Sequence, residues 1–173
     1  MENEGEIFSF DLHKNKLSLV EASAKRLGID IIHADARDAR EPDSSLLGKA
    51  DRVICDVPCS GLGVMAKKPD IRYKNEEDVK KLGALGLEIL TKSASYLRTG
   101  GILLFSTCTL RKEENEQTVQ AFLNENPNFA LCPFSLPSAS PDTPDIASDG
   151  MLTLMPHIHK TDGFFIAKLK KLS

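Results

Sequence analysis

Two cysteines in this sequence lie in short segments whose residue types suit covalent chemistry. Residues 56–61 hold an acid, a proline, Cys59 and a glycine, and residues 106–109 place Cys108 between two threonines. A thiolate is a strong nucleophile, and a nearby acid and a second thiol could assist it. Each segment follows a predicted strand, so we expect Asp56 and both thiols to face one cleft. The alternatives are a structural turn around Cys59 and a core position for Cys108.

Two further acids follow predicted strands and suit a nucleoside ligand. Asp11 lies between a strand and a helix, where a carboxylate in dinucleotide-type folds accepts both ribose hydroxyl protons. Asp35 ends the next strand and could accept a hydrogen bond from an adenine amino group. The alternatives are a helix N-cap for Asp11 and a surface turn for Asp35, with Asp38 as a nearby competitor.

The elements that must position these side chains alternate between strand and helix. Apolar runs and helical spacing predict strands over residues 6–10, 29–33, 52–55, 102–106, 128–132 and 163–169, and helices over 13–27, 76–97 and 113–125. This alternation predicts an α/β fold built on a parallel sheet. Residues 133–150 are rich in proline and serine, which predicts a loop within the domain.

Length, charge and cysteine usage narrow the class of protein. The chain has 173 residues, which suits one globular domain. Its net charge of −3 argues against a uniformly basic nucleic-acid coat. Its polar first residues and short apolar runs predict neither a signal peptide nor a membrane span. The four cysteines and four histidines do not sit at zinc spacings. We therefore expect reduced thiols, no metal and a cytoplasmic location.

Five motifs taken together resemble one enzyme family. They are Asp-Val-Pro-Cys-Ser-Gly-Leu-Gly at 56–63, Lys-Pro-Asp-Ile-Arg at 68–72, Gly-Gly-Ile-Leu-Leu-Phe-Ser-Thr-Cys-Thr at 100–109, Glu-Glu-Asn-Glu at 113–116 and Asp-Gly-Phe-Phe-Ile-Ala at 162–167. Their order and spacing are similar to those of the Sun/Fmu-type RNA cytosine-5 methyltransferases, which act on ribosomal or transfer RNA. The resemblance runs from about residue 4 to residue 169.

This resemblance implies a fold and a cofactor. The fold is the Rossmann-like class I methyltransferase fold, a mostly parallel sheet with helices on both faces, and the cofactor is S-adenosylmethionine. The chain then corresponds to the C-terminal three-quarters of the catalytic domain, because the family's first strand and glycine-rich loop would precede Asp11. A truncated, catalytically inactive remnant or RNA-binding fragment is the alternative function.

The resemblance also implies roles for individual residues. Cys108 of the Thr-Cys motif adds to C6 of the target cytosine, and Cys59 of the Pro-Cys motif helps to resolve the adduct. Asp56 faces the amino and N3 edge of the base and lies near the methyl donor. Asp11 and Asp35 contact the ribose and adenine of S-adenosylmethionine.

The RNA contacts implied by the resemblance lie just after the Pro-Cys motif. Lys67, Lys68 and Arg72 are expected to meet RNA phosphates, although a solvated loop is the plain alternative. The target base must leave its stack, so single-stranded or loop RNA is expected, ribosomal RNA first and transfer RNA second. The DNA cytosine-5 methyltransferases are a competitor whose nucleophile resembles Cys59, and the Thr-Cys motif favours the RNA family. A cysteine hydrolase would need a paired histidine, for which the sequence has no signal.

Overall fold

The computed structural model describes residues 1–73, 75–136 and 146–173, and the chain divides into two compact units. The first unit is Met1–Asp43 and the second is Ser44–Ser173. Each unit carries part of the predicted alternation of strands and helices, so the expected α/β class is confirmed.

The first unit is one strand–helix–strand crossover. Strand β1 (Ile7–Asp11) pairs in parallel with β2 (Ile32–Ala36), and helix α1 (Lys14–Leu27) connects them. Gly28 ends the helix in the left-handed conformation. The next residue still donates its backbone N–H to the carbonyl of Ala24, so β2 begins at residue 32 and not at the expected residue 29.

The second unit contains the remaining helices and strands of the described chain. In chain order they are β3 (Ala50–Asp56), α2 (Glu76–Ala94), β4 (Leu97–Thr107), α3 (Glu116–Glu125), β5 (Phe129–Leu131), β6 (Phe134–Ser135), β7 (Ile146–Ala147), β8 (Met151–Leu154), α4 (Pro156–His159) and β9 (Phe164–Lys171). Short 3-10 turns lie at Ser44–Leu46, Leu62–Val64 and Pro69–Tyr73. Strand β8 and helix α4 were not predicted, because each has only four residues.

The main sheet has the strand order β3–β4–β9–β5, with β8 also paired to β9. Strands β3 and β4 are parallel, whereas β9 runs antiparallel to each of its neighbours. The register places Asp56 opposite Ser106, so the carboxyl ends of β3 and β4 lie side by side. The two cysteine-bearing loops therefore leave the sheet at the same edge.

Large apolar side chains of both strands and helices form the core of this unit. The fully buried ones are Leu90, Leu97, Leu103, Phe105, Val119, Phe122, Phe165 and Leu169. The rings of Phe105 and Phe165 meet edge to face on the adjacent strands β4 and β9, with centroids 6.2 Å apart. Burial of apolar surface stabilises the folded state by about 25 cal/mol per Å², and this core fixes the strands that precede the two cysteine loops.

Several predicted boundaries were wrong in this unit. The long helix ends at Ala94 and β4 already begins at Leu97, because Gly100 and Gly101 lie within the strand and do not stop the helix. A register shift between the pairs made by Ala50 and Arg52 accommodates the two glycines. Helix α3 begins at Glu116 and not at residue 113.

The predicted loop over residues 133–150 is described only at its ends. Strands β6 and β7 pair antiparallel there, with Phe134 opposite Ala147. Residues 137–145 lie outside the described residues. Within the described ranges, none of the helices is long and apolar enough to cross a membrane.

Candidate functional site

The site begins where β3 and β4 end side by side. The Ser106 hydroxyl at the end of β4 donates to Oδ1 of Asp56 over 2.9 Å. The backbone N–H of Val57 donates to the carbonyl of Ser106 over 3.2 Å. The chain after β3 thus stays attached to β4, and the Asp56 carboxylate is held at the sheet edge with its side chain exposed.

Two thiols meet at this edge. The Sγ atoms of Cys59 and Cys108 are 3.3 Å apart, both residues are half-buried, and both are free cysteines. Burial, and then the adjacent Cys108 side chain, raise the pKa of the Cys59 thiol well above its ordinary value. Cys59 is therefore a neutral S–H group at physiological pH, placed to donate a hydrogen bond to the other sulfur.

Backbone hydrogen bonds at two glycines join the loop that carries Cys108 to two other loops. The N–H of Gly63 donates to the carbonyl of Cys108 over 2.9 Å, and the N–H of Gly163 donates to the carbonyl of Gly63 over 2.8 Å. A Cβ atom on Gly63 would overlap the Gly163 carbonyl and approach the Cys108 carbonyl to 2.8 Å. Glycine is needed at residue 63 because backbone atoms of both other loops occupy that space.

A buried polar network lies behind the thiols, and its role was not predicted from the sequence. The two oxygens of Glu114 accept hydrogen bonds from the N–H of Ser60 at 2.7 Å and from its hydroxyl at 2.6 Å. The Ser60 hydroxyl oxygen also lies 2.8 Å from that of Thr109. Part of the network has a signal in the sequence, because Cys59 and Cys108 are each directly followed by a hydroxyl residue, but no such signal marks Glu114 as their partner.

The neighbouring Asn115 holds both sides of Cys108. The Thr107 hydroxyl donates to Oδ1 of Asn115 over 2.6 Å, and the Asn115 amide donates to the carbonyl of Thr109 over 3.0 Å. Asn115 itself is 1% exposed. The nucleophile candidate is therefore flanked by two residues whose polar atoms are fixed by one buried amide.

Asp11 and Asp35 belong to the first unit, at the carboxyl ends of β1 and β2. The Asp11 carboxylate accepts from the backbone N–H of His13 at 2.8 Å and from Lys16 at 3.2 Å, and the His13 contact most strongly lowers the pKa of Asp11. Asp35 pairs in register with Phe10, the residue before Asp11, and its carboxylate is exposed. Two carboxylates on neighbouring strands fit the hydroxyl and amino groups of a nucleoside, since each oxygen can accept more than one hydrogen bond.

Asp38, the competitor of Asp35, is engaged elsewhere. Arg40 contacts both of its carboxylate oxygens at 2.6–3.1 Å, and this side-chain pairing lowers the pKa of Asp38 to about 2. Asp35 accepts from Arg37 over 3.3 Å, and the same guanidinium also contacts Asp43 at 3.0 Å. Asp35 is thus the more available ligand of the two.

The basic residues after the Pro-Cys motif are exposed and differ in their contacts. Lys67 forms an ion pair of 2.6 Å with Asp162, beside the glycine contact of residue 163. The Arg72 guanidinium lies 5.3 Å from the ring centroid of Tyr73, and Lys68 is exposed. Among the described residues, none of the groups of histidines, cysteines and acids is arranged to hold a metal ion.

Comparisons with known proteins are consistent across sequence and structure. A family model described as 16S rRNA methyltransferase RsmB/F matches residues 1–170. The chain is 40% identical over 174 residues to the probable ribosomal RNA small subunit methyltransferase B of Bacillus subtilis, covering 99% of the chain and 39% of that protein. It is 37% identical over 174 residues to a tRNA (cytosine(72)-C(5))-methyltransferase of Pyrococcus horikoshii, covering 99% of the chain and 42% of that protein.

A solved structure shows the same fold. The crystal structure of NSun6 from Pyrococcus horikoshii with SFG has a TM-score of 0.83 and 35% sequence identity to the chain. The match covers 99% of the chain and 43% of that protein. The chain therefore spans about two fifths of the length of the relatives that it matches.

Proposed function

The chain belongs to the RsmB/F family of 16S rRNA methyltransferases, and on that premise we propose that its sheet edge is the base-modifying site of an RNA cytosine-5 methyltransferase. The α/β fold is the Rossmann-like methyltransferase fold. The observation that carries the proposal is the pair of thiols 3.3 Å apart, in the loops that follow the paired strand ends of Asp56 and Ser106. Cytosine C5 is a weak nucleophile. Of two thiols at one base, one can activate C5 by adding to the ring, and the other can help to release the base afterwards.

The reaction begins at Cys108. Its thiolate adds to C6 of the cytosine, and the electron pair of the C5–C6 double bond makes C5 the nucleophile. S-adenosylmethionine supplies the methyl group that C5 takes. The C5 proton is then lost to solvent, the C5–C6 double bond re-forms, and the bond between Cys108 and C6 breaks to return the thiolate.

Cys59 assists the last step. Its raised pKa keeps the thiol protonated, and its sulfur lies within hydrogen-bond distance of the departing sulfur of Cys108. An S–H donor at that position stabilises the thiolate as it leaves, because charge develops on the Cys108 sulfur in that step. In this scheme Cys108 is the nucleophile and Cys59 is the hydrogen-bond donor.

Asp56 orients the base. Its carboxylate is exposed at the end of β3, with one oxygen fixed by the Ser106 hydroxyl. A carboxylate accepts from the cytosine amino group and favours protonation at N3, which draws electrons from C6 and helps the thiolate to add. Asp11 and Asp35 accept hydrogen bonds from the ribose and adenine of S-adenosylmethionine; the Asp35 carboxylate is exposed and that of Asp11 is half-buried.

Lys68 and Arg72 contact RNA phosphates, and Lys67 does so after releasing Asp162. These side chains follow the Pro-Cys loop directly, so their charge lies near the strand of RNA that enters the site. The target is an unpaired cytosine, because thiol and cofactor must reach opposite faces of one base. Ribosomal RNA is the substrate we favour, from the family to which the chain belongs. The four free thiols suit the reducing cytoplasm.

Methyl transfer from labelled S-adenosylmethionine tests the proposal. Unmodified ribosomal and transfer RNA are incubated with the chain, and with a version extended upstream through the first strand and glycine-rich loop that the family resemblance implies. Digestion of the RNA to nucleosides should show the label in 5-methylcytidine, and Cys108→Ala should abolish it. Label in another nucleoside, or turnover that survives Cys108→Ala, would refute the assigned chemistry.

A further inference from the structure

The residue after each thiol carries a hydroxyl group, and the two hydroxyls meet in the interior. Ser60 and Thr109 are both 0% exposed, and their side-chain oxygens are 2.8 Å apart. They directly follow the two cysteines whose sulfurs are 3.3 Å apart. The loops after β3 and β4 are therefore in contact at two points. One is between the sulfurs of the half-buried cysteines, and the other is between the hydroxyl oxygens of the buried Ser60 and Thr109.

Glu114 sets the direction of these buried hydrogen bonds. Its carboxylate only accepts, so the Ser60 hydroxyl must donate its proton to Oε2 at 2.6 Å while the Ser60 N–H donates to Oε1 at 2.7 Å. The Ser60 oxygen is then an acceptor for the Thr109 hydroxyl. Hydrogen bonds to a carboxylate are shorter and stronger than neutral ones, so this chain of contacts holds both loops firmly.

We propose that Glu114 is a positioning residue that, through Ser60 and Thr109, keeps the sulfur of Cys59 within reach of the sulfur of Cys108. The inference rests on the proposed function, because the release step needs that approach. Among the hydrogen bonds of the described residues, those of the Glu114 side chain go to Ser60 and not to either thiol. Its two contacts both end on the residue next to Cys59, which is what a positioning role requires.

A purely stabilising role would not need a charged group. Glu114 is 3% exposed, and a buried carboxylate is costly unless its oxygens are hydrogen-bonded. Apolar side chains of similar volume often fill a core at least as well as buried charges. The carboxylate supplies directional contacts to a loop, which apolar packing cannot supply.

The distance between the sulfurs can be probed directly by oxidation. The reagent diamide takes two electrons and two protons from the two thiols, which form one S–S bond and require an approach to about 2 Å. The rate at which the Cys59–Cys108 disulfide forms reports how often the two sulfurs meet. It is followed by mass spectrometry of the disulfide-linked peptides. Alkylation of Cys132, which lies after β5, serves as the internal reference within each sample.

Glu114→Gln should slow formation of this disulfide by about tenfold. The two Ser60 donors bind different oxygens of Glu114, and the NH2 group that replaces one oxygen cannot accept, so one charged hydrogen bond is lost. Glu113→Gln is the matched control, since its side chain is 56% exposed and one residue away. The control should oxidise at the wild-type rate. An equal rate in Glu114→Gln and wild type, with equal thermal unfolding midpoints, overturns the positioning role.

Ser60→Ala keeps the backbone contact to Glu114 and removes only the hydroxyl, so it should slow the disulfide several-fold with the fold retained. If both Glu114→Gln and Ser60→Ala lose the folded state, the network serves the fold as a whole and the proposal is overturned.

A second readout separates this inference from the proposed function. With RNA and S-adenosylmethionine, Glu114→Gln should accumulate more of the covalent complex than wild type, because Cys59 meets Cys108 less often. If wild type transfers no methyl group and forms no complex, the proposed function fails while the disulfide rates still decide the role of Glu114. If wild type turns over and Glu114→Gln releases RNA at the same rate, only the positioning role fails.

Discussion

At the scale of single residues, burial divides the cysteines into different chemical types. Cys59 is held beside a second sulfur at a loop, whereas Cys55 is 4% exposed within β3. Burial raises the pKa of Cys55 from its ordinary value of 9.0 to about 11, although its sulfur lies 3.6 Å from the Ser93 hydroxyl. A thiol so buried is not a nucleophile at neutral pH, and its role is in packing.

Cys55 predicts an alkaline dependence of stability. A raised pKa in the folded state means that the stabilisation is complete below pH 9 and is lost as the pH rises toward 11. The difference between the two values corresponds to about 3 kcal/mol. Urea unfolding from pH 8 to pH 11 should show this loss. Cys55→Ala should reduce the slope of the unfolding free energy against pH, and the remaining slope should come in part from Cys59. An unchanged slope in Cys55→Ala would contradict the buried thiol.

At the scale of elements, the two glycines of α2 differ in how much space surrounds them. A Cβ on Gly83 would lie 3.2 Å from the carbonyl oxygen of Glu113, which is closer than ordinary packing allows. A Cβ on Gly86 would lie 3.5 Å from a methyl group of Val57, which is ordinary contact. Gly83 therefore lets the helix approach the segment that carries Glu114, whereas the structure gives no steric reason for Gly86.

Alanine at these two positions should therefore have unequal effects. Gly86→Ala should raise the free energy of unfolding by about 1 kcal/mol and the midpoint by about 2–4 °C, because alanine is the better helix former. Gly83→Ala should give no such gain, since the Glu113 carbonyl must shift to make room. Calorimetry of the two variants beside wild type measures this, and equal gains would show that α2 is not in close contact there.

The sequence could predict the strand ends but not the network behind them. Asp56 and Cys108 follow short apolar runs, so their place at the carboxyl edge followed from the pattern of β3 and β4. Glu114 and Ser60 are 54 residues apart, and nothing local indicates that they meet. The start of α3 was misplaced for the same reason, because residues 113–115 look helical alone but Glu114 and Asn115 bind the cysteine loops.

At the scale of the whole molecule, the two units have unequal cores. In Met1–Asp43 only Leu17 and Ala24 are buried apolar residues, and the sheet has two strands. In Ser44–Ser173 a cluster of buried side chains spans β3, β4, β9 and both long helices. Units of about 40 residues bury little surface by themselves, so the first unit has the smaller intrinsic stability.

Amide hydrogen exchange should reveal this difference. Amides of β1, β2 and α1 should exchange through openings of low free energy, whereas those of β4 and β9 should exchange only near the global unfolding free energy. S-adenosylmethionine should slow exchange at Asp11 and Asp35 if those carboxylates hold it. Uniform protection across both units would contradict the unequal cores.

The most direct test of the central claim, two thiols with separate roles at one base, is denaturing electrophoresis of Cys59→Ala after incubation with RNA and S-adenosylmethionine. The protein is used in the form that transfers methyl groups. We predict a protein–RNA complex that survives denaturation, because Cys108 adds to the base and its release is impaired. The complex should vanish when Cys108→Ala is combined with Cys59→Ala. No surviving complex with Cys59→Ala, or one that persists without Cys108, would contradict the account.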